Sequence, residues 1–342
     1  MLLMSIGVGS LFLVALEYVA GADWSTPIRR IPEHLASLIP VLIILSIPLL
    51  LNLSNLFHWT HPGDDKLLIH KAPYLNVTFF IFRVFVCLAL WGLFYVVLTR
   101  NSRKQDTTGE QLLTKRNIKL SAIFIPLFAI TITIAAVDWM MSLEPHWFST
   151  IFGVYYFAGS VVAALSAVTI LVVNLKEKGY LSSRLTNDHL FSLGALLFAF
   201  INFWAYIAFS QYMLIWYADL PEETFWFLHR WDGIWAYVSI LLIIMNFVVP
   251  YIVLLSQPAK MDPKKLKFVA VWLLIAKFVD YYWLIIPNMK SENTVSVFSW
   301  MDIAFPVAFA GLIMIVFNER VKKTNLIPVG DPKLERGLNF HL

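Results

Sequence analysis

The sequence predicts an all-α integral membrane protein that forms a single polytopic membrane domain over residues 1–342. Three properties support this class: 59% of the residues are hydrophobic, only 14% carry charge, and the mean hydropathy is +0.71. A soluble chain of this size does not combine so little charge with so many aromatic residues. The pI near 9.0 reflects Lys and Arg between the apolar runs, so no nucleic-acid partner is expected.

Apolar runs of about 20 residues, the length that crosses a hydrocarbon core, recur along the whole chain. We predict about nine membrane spans, at residues 2–20, 36–57, 74–98, 118–140, 150–174, 188–216, 232–256, 266–287 and 296–318. Prolines inside these runs are expected to kink the helices. They are Pro40, Pro48, Pro126, Pro250 and Pro306.

The Lys and Arg residues divide unequally between the connections. Of 26 in the chain, 20 fall in the first, third, fifth and seventh connections and the tail, and 4 fall in the other connections. The positive-inside rule then places the C-terminal tail, residues 319–342, in the cytoplasm and the first residues outside. The first connection, 24–34, is expected as a short interfacial segment, and the third, 100–119, as a polar mobile loop.

Ionisable residues inside the predicted spans are the strongest functional signal, because charge within a membrane is costly and marks buried polar sites. They are Glu17, Arg83, Asp138, Lys277, Asp280 and Asp302. All except Glu17 fall in the outer half, which favours a hydrated pocket that opens outward and carries protons. Spacing places Lys277, Asp280 and Tyr281 on one helix face. The alternative is a set of buried ion pairs that lock helices together, with Lys277–Asp280 and Arg83–Asp138 as the expected pairs.

Two connections predicted on the outer side, 138–149 and 217–232, combine acids, histidines and aromatic residues. An aromatic belt with solvated acids is the simplest interpretation. A docking surface for an outer protein, or the rim of a quinone-sized site, would use the same residues, and docking is preferred of these two. The candidate residues are Glu144, His146, Tyr217, Asp219, His229, Arg230 and Asp232.

The sequence carries no signature of a redox centre of its own. None of the eight histidines lies deep in a predicted span, so no axial ligands for a transmembrane haem are expected. Cys87 is the only cysteine, which excludes a disulfide, an iron–sulfur cluster and an attached c-type haem. No metal site is expected, and any redox chemistry would use a diffusible quinone or a cofactor of a partner.

Three stretches carry a resemblance to a known family. They are Val137-Asp138-Trp139-Met140-Met141-Ser142-Leu143-Glu144-Pro145-His146-Trp147-Phe148-Ser149-Thr150, Phe209-Ser210-Gln211-Tyr212-Met213-Leu214-Ile215-Trp216-Tyr217, and Arg29-Arg30-Ile31-Pro32-Glu33. Over most of its length the chain resembles the ActF proteins of bacterial alternative complex III. This family is similar to the NrfD/PsrC-type membrane subunits, with two four-helix bundles and usually ten spans, so nine spans fit a chain that lacks the first.

The resemblance implies a multi-pass subunit of the bacterial cytoplasmic (inner) membrane within a quinol:cytochrome c (or cupredoxin) oxidoreductase. It implies ActA, ActB, ActC, ActD and ActE as partners, in some cases with a terminal oxidase, and lipids. Haem c and iron–sulfur clusters would belong to partner subunits, and a quinone or menaquinone is a candidate ligand. The subunit would contribute a proton path or a scaffold near the quinone, and no catalytic residue is assigned. The other hypotheses are a purely structural docking subunit and, less favoured, an independent secondary transporter.

Overall fold

The protein is an all-α, multi-pass membrane protein. The computed structural model describes residues 1–289 and 299–342. Within these ranges, nine helical segments are long and apolar enough to cross a membrane, and no strand occurs. Spans 1 to 9 are Leu2–Ala20, Thr26–Leu51, Val77–Thr108, Gln111–Leu143, Phe152–Glu177, Asn187–Ala218, Gly233–Leu254, Pro263–Asn288 and Met301–Val321. The predicted ninth span begins at 296, and its first three positions lie outside the described residues.

Shorter helices occupy the connections and the tail. They are Leu53–Leu56, Lys66–Lys71, Pro221–Arg230, Gln257–Met261 and Leu334–Leu338. We call the side of the protein with the connections 52–76, 144–151 and 219–232 the turn face. The opposite side, which carries residues 322–342, is the tail face. The charge distribution predicts that the tail face is cytoplasmic.

The first eight spans form two four-helix groups, as predicted. Span 1 packs against spans 2 and 4, and span 3 packs between those two, which closes the first bundle. Span 5 packs against spans 6 and 8, and span 7 contacts both of these, which closes the second. The bundles meet where span 5 lies against spans 1 and 4. Span 9 lies outside both bundles, and most of its surface is exposed.

The closest approach between the bundles depends on a glycine in span 1. A Cβ at Gly9 would lie 2.7 Å from the Ser160 carbonyl oxygen and 2.8 Å from the Ala164 Cβ in span 5. Small residues allow helix backbones to approach in a membrane, where packing and hydrogen bonds drive association. The contact holds the polar side chains of span 1 next to those of span 5, which matters for the site described below.

The third connection is helical, so the prediction of a mobile loop at 100–119 is wrong. Span 3 continues to Thr108, and span 4 begins at Gln111. The polar residues of this region are partly buried: the Gln105 amide nitrogen donates to the Thr114 hydroxyl at 2.7 Å, and Asp106 pairs with Arg30 at 2.5 Å. Polar composition was read as solvent exposure, whereas these side chains bond one another and the first connection.

The first connection continues into span 2 as a helix and anchors a buried ion network at the tail face. Arg29 pairs with Glu17 at 3.2 Å, with Glu33 at 3.4 Å, and with Asp331 of the tail. All four side chains are less than one-tenth exposed. The network joins span 1, the start of span 2 and the C-terminal tail. Removal of one member would leave buried charge unpaired, so the network fixes the tail against the bundle.

Span 7 is interrupted by a π-helical segment, Ile244–Val248, just before Pro250. Proline lacks the N–H that would continue the helical ladder. The Met245 carbonyl accepts from the Trp272 indole N–H at 2.9 Å, and the Asn246 amide nitrogen donates to the Leu242 carbonyl at 3.1 Å. Side chains therefore satisfy carbonyls at the irregular turn. Single π turns of this kind are often found at functional sites, and this one borders a cavity.

Candidate functional site

Arg83 of span 3 and Asp138 of span 4 form a buried ion pair, as predicted. The Arg83 Nε lies 2.6 Å from Asp138 Oδ2, and Nη2 lies 3.2 Å from Oδ1. The Tyr74 hydroxyl donates to the same Oδ1 at 3.0 Å, and Arg83 Nη1 donates to the Tyr74 carbonyl at 2.9 Å. Asp138 is 0% exposed. The two-point geometry and the third donor hold this carboxylate fixed, so the pair locks spans 3 and 4 together.

Lys277 and Asp280 of span 8 form a second buried pair, also as predicted. The Lys277 Nζ donates to Asp280 Oδ2 at 3.0 Å, and both side chains are essentially inaccessible. The Tyr155 hydroxyl of span 5 donates to Asp280 Oδ1 at 2.5 Å. The ammonium group also lies 3.8 Å from the centre of the Trp204 ring, a favourable cation–π contact. The Tyr155 hydroxyl of span 5 and the Lys277 ammonium group of span 8 therefore meet at the Asp280 carboxylate.

A second set of hydrogen-bonded hydroxyl groups lies beside this pair, because Tyr281 follows Asp280 directly in span 8, and it reaches span 1. The Tyr281 hydroxyl lies 2.7 Å from the Ser5 Oγ, and the Tyr156 hydroxyl lies 2.9 Å from it. The Ser160 Oγ donates to Ser5 at 3.1 Å. Rotatable hydroxyl groups can both donate and accept, so such a chain can be reversed as a unit. We call these two neighbouring sets together the central cluster; it contains Ser5, Tyr155, Tyr156, Ser160, Lys277, Asp280 and Tyr281.

The predicted single pocket for all the charged residues is not what the structure has. The Arg83–Asp138 pair lies in the first bundle, whereas Lys277 and Asp280 lie in the second. No hydrogen bond or ion pair within residues 1–289 and 299–342 joins the two pairs. Similar depth along the helices suggested one pocket, but depth does not fix the side of the helix on which a residue lies.

Asp302 also lies apart, on the peripheral span 9. Its carboxylate accepts from the Tyr282 hydroxyl at 3.1 Å and from the Ser299 backbone N–H at 2.7 Å. Its side chain is partly exposed. The bond from the Ser299 N–H holds the start of the helix. We therefore assign Asp302 to the first turn of span 9 and not to the central cluster.

The predicted residues of the 138–149 turn lie near the surface. His146 is exposed and lies 2.7 Å from Asp65 Oδ2 and 3.4 Å from Glu144 Oε1. The hydrogen bond with His146 lowers the pKa of Asp65, which also caps the Lys66–Lys71 helix. This contact fixes two connections of the turn face to each other. Glu144 and His146 are therefore accessible to a partner.

The predicted residues of the 217–232 connection divide into two groups. Tyr217 is 89% exposed, and Asp219, His229 and Asp232 are also exposed. Arg230 is buried at 1% exposure, so its assignment to a docking surface or rim is wrong. Its guanidinium stacks 3.4 Å from the centre of the Trp226 ring.

Arg230 fixes the short helix Pro221–Arg230, which we call the lid helix, to the end of span 8. It donates to the Trp283 carbonyl at 3.3 Å, to the Leu284 carbonyl at 3.2 Å and to Asn288 Oδ1 at 2.9 Å. These carbonyls belong to the last turns of span 8, where intrahelical donors are missing. The arginine therefore satisfies a helix end and holds the lid helix over the bundle.

Replacing Arg230 with alanine should release the lid helix. Each hydrogen bond that the guanidinium loses is worth about 1.5–3 kcal/mol in a buried charged setting. We expect the purified Arg230→Ala chain to be cut by chymotrypsin within 220–232 much faster than the wild type. His229→Ala, at the exposed neighbouring position, is the matched control and should be cut at the wild-type rate. Equal rates for all three proteins would show that Arg230 does not hold the lid helix.

A cavity of about 570 Å³ lies beneath the lid helix, between spans 5, 6, 7 and 8. Aromatic rings form most of its wall, including Tyr155, Trp204, Trp226 and Trp283. Tyr155 thus belongs both to the cavity wall and, through its hydroxyl, to the central cluster. The cavity can hold an apolar ligand the size of an aromatic ring. Only the Tyr155 hydroxyl would then separate this ligand from the buried Asp280 carboxylate.

Sequence reasoning missed the contribution of spans 1 and 5 to this site. The consecutive tyrosines at 155 and 156, with Ser160 one helical turn after Tyr156, form a polar face on span 5 that was a usable signal. Nothing in the sequence shows that Ser5 meets this face, because that contact arises from the packing of span 1 on span 5.

The described part of the chain contains no group of three or more His, Cys, Asp or Glu side chains that could hold a metal ion. The chain matches no protein-family model, and no curated protein matches it.

Proposed function

We propose that this chain is a membrane subunit of a respiratory quinol:cytochrome c (or cupredoxin) oxidoreductase of the alternative complex III type. In this proposal it lies in the bacterial inner membrane with its tail face in the cytoplasm. It contributes a proton path through the central cluster, while haem c and iron–sulfur clusters are carried by partner subunits. The observation that carries the proposal is the buried Lys277–Asp280–Tyr155 contact, with the hydroxyl set of Ser5 beside it.

The chemistry of the central cluster favours proton transfer over a purely mechanical role. In the protein interior a carboxylate bonds an ammonium group and a tyrosine hydroxyl, and four further hydroxyl-bearing side chains bond one another beside them. Charged groups within a membrane are expensive and are retained where protons or ions pass. Helices can be held together at lower cost by apolar packing.

The proton path that we propose crosses half of the membrane, from the turn face to the central cluster. Ser10, which is fully buried, is the next polar residue of span 1 towards the tail face. At a rise of 1.5 Å per residue it lies about 7.5 Å along the helix from Ser5 and about 10 Å from Glu17. Its hydroxyl has no hydrogen-bond partner within the described ranges. Water between these layers would complete the path to the ion network of the tail face.

A scaffold is the second candidate function, and a specific observation favours it. Asp138 and Arg83 bond each other and Tyr74, and the network around Arg29 ties the tail to span 1. These contacts position helices. Both functions fit one subunit, because the two sets of residues do not touch. They differ in whether Asp280 changes its protonation during turnover.

The exposed aromatic residues of the turn face support the proposed partners. Trp216 is 52% exposed, and Tyr217 at 89% is among the most exposed large residues of the chain. Aromatic side chains at such density are typical of the cores of protein interfaces. We propose that the exposed parts of the turns 138–149 and 217–232 are covered by peripheral subunits in the assembled complex.

Purification through an affinity tag on this chain tests the proposal. Solubilised membranes of the source organism should yield a complex with quinol:cytochrome c reductase activity and the absorption of c-type haem. The same chain expressed alone should be colourless, because its histidines and its single cysteine provide no haem or iron–sulfur site. A tagged chain that purifies alone from its own membranes, or carries a haem by itself, would contradict this function.

A further inference from the structure

The cavity beneath the lid helix offers an unpaired polar group to a ligand. Gln211 of span 6 lines the cavity and is 5% exposed. Its Oε1 has no hydrogen-bond partner among residues 1–289 and 299–342. A buried amide oxygen without a donor is unfavourable, and native structures seldom retain one. The geometry therefore indicates a ligand that brings a donor to this oxygen.

Three other polar groups of the wall are already engaged. Tyr155 donates its proton to Asp280. The Asn202 amide nitrogen donates to the Phe198 carbonyl at 2.7 Å. The Ser239 hydroxyl accepts from the Trp283 indole N–H at 2.9 Å. No donor among the described residues reaches Gln211 Oε1. A bound molecule would therefore have to supply the hydrogen bond to this oxygen.

Trp204 adds a second group that is available to a ligand. Its ring packs against Tyr155, with 5.6 Å between the ring centroids. Its indole N–H lies near the Tyr155 hydroxyl but makes no hydrogen bond of good geometry within the described structure. The cavity therefore offers one acceptor, from Gln211, and one donor, from Trp204, on an otherwise aromatic wall. A hydroxyl group can donate to the first and accept from the second.

The cavity opens towards the surface that faces lipid. Tyr206 and Phe209 of span 6 are 66% and 62% exposed, and Ile243 of span 7 is 53% exposed, and all three line the cavity. These side chains lie between membrane spans, where the surroundings are hydrocarbon. A ligand that enters here comes from the lipid phase and must be lipophilic.

We propose that the cavity binds a lipophilic aromatic ring whose hydroxyl group donates a hydrogen bond to Gln211 Oε1. Its volume of about 570 Å³ lies within the range of about 300–1,000 Å³ that is typical of small-molecule pockets. The wall provides ring faces for stacking, and Tyr155 places the ligand one residue from Asp280. A quinol head group is a member of this class, and that narrower identification rests on the proposed function.

Fluorescence titration of the full chain in lipid nanodiscs tests this proposal. The probe is heptyl-hydroxyquinoline N-oxide, a lipophilic ring with a hydroxyl group, and heptylquinoline N-oxide is the analogue that lacks only the hydroxyl. Loss of one hydrogen bond to a buried partner weakens binding by about tenfold. We expect this loss when Gln211 is replaced by leucine and also when the wild type binds the analogue. Asn202→Leu, on the same wall but with its amide nitrogen already bonded to the Phe198 carbonyl, should bind the probe within about twofold of the wild type.

The two arms of the experiment are independent. If Gln211→Leu does not fold, the comparison of probe and analogue on the wild type still decides the matter. Equal affinity of the wild type for probe and analogue would overturn the proposal, because the cavity would then accept any apolar chain, such as a lipid tail. Binding to the chain alone requires no partner subunit. A failure to purify a reductase complex would therefore refute the proposed function and leave the hydroxyl-dependent site standing.

Discussion

Asp138→Leu is expected to destabilise the membrane domain by roughly 3–5 kcal/mol, because it leaves the Arg83 guanidinium buried without its counter-charge. The carboxylate accepts two bonds from Arg83 and one from Tyr74, so all of these donors would lose their acceptor together. The purified variant should aggregate at a lower temperature than the wild type, as measured by the monodisperse fraction after heating in detergent. Asp138→Asn also removes the charge but keeps one acceptor oxygen for these donors, so it should lose less stability than Asp138→Leu.

The double variant Arg83→Leu/Asp138→Leu is the control for this result. Replacing a buried ion pair by apolar residues is often close to neutral, whereas breaking it is costly. The double variant should therefore be more stable than Asp138→Leu alone. If its loss equals or exceeds the sum of the two single losses, the two residues do not act as a pair and the locking role is wrong.

Asp280→Asn is expected to lower proton-coupled turnover of the complex by at least about a hundredfold, the usual contribution of a positioned acid or base. Asparagine preserves the size of the side chain and one of the two acceptor oxygens, but it cannot take up a proton. The measurement is quinol-driven cytochrome c reduction, together with proton release, in proteoliposomes that contain the purified complex. The complex should still assemble.

Asp138→Asn provides the matched control for that loss. Asp138 is also a buried aspartate paired with a cation, but its pair lies in the first bundle and does not contact the central cluster. Turnover of the complex that carries Asp138→Asn should therefore stay near the wild-type rate. Equal losses in both variants would mean that any buried aspartate supports the fold in the same way, and would leave the scaffold role as the better account.

The ion pairs could be predicted from the sequence because each depends on few assumptions. Lys277 and Asp280 lie three residues apart on one helix, which places them on one face. Arg83 needs an acid from another span, and Asp138 lies on the following span at a similar depth. The number of spans could be predicted from the length and hydrophobicity of the apolar runs. The two bundles were implied by the family resemblance.

The remaining features depend on contacts that a single sequence does not define. Ser5 reaches Tyr281 because span 1 approaches span 5 at Gly9, and the sequence positions of these residues do not imply that contact. Arg230 was assigned to the surface because its neighbours are polar. Its burial follows from Trp226, one turn earlier in the lid helix, and from the free carbonyls at the end of span 8.

Infrared difference spectroscopy of the assembled complex tests the central claim most directly, because it detects protonation of an individual buried carboxyl group during turnover. The spectrum of the fully reduced minus the fully oxidised complex should contain a carboxyl C=O band that is absent in Asp280→Asn and unchanged in Asp138→Asn. That result is expected if the central cluster carries protons. A spectrum in which Asp280→Asn retains every carboxyl band of the wild type would show that Asp280 keeps its charge throughout, and would contradict the proposed path.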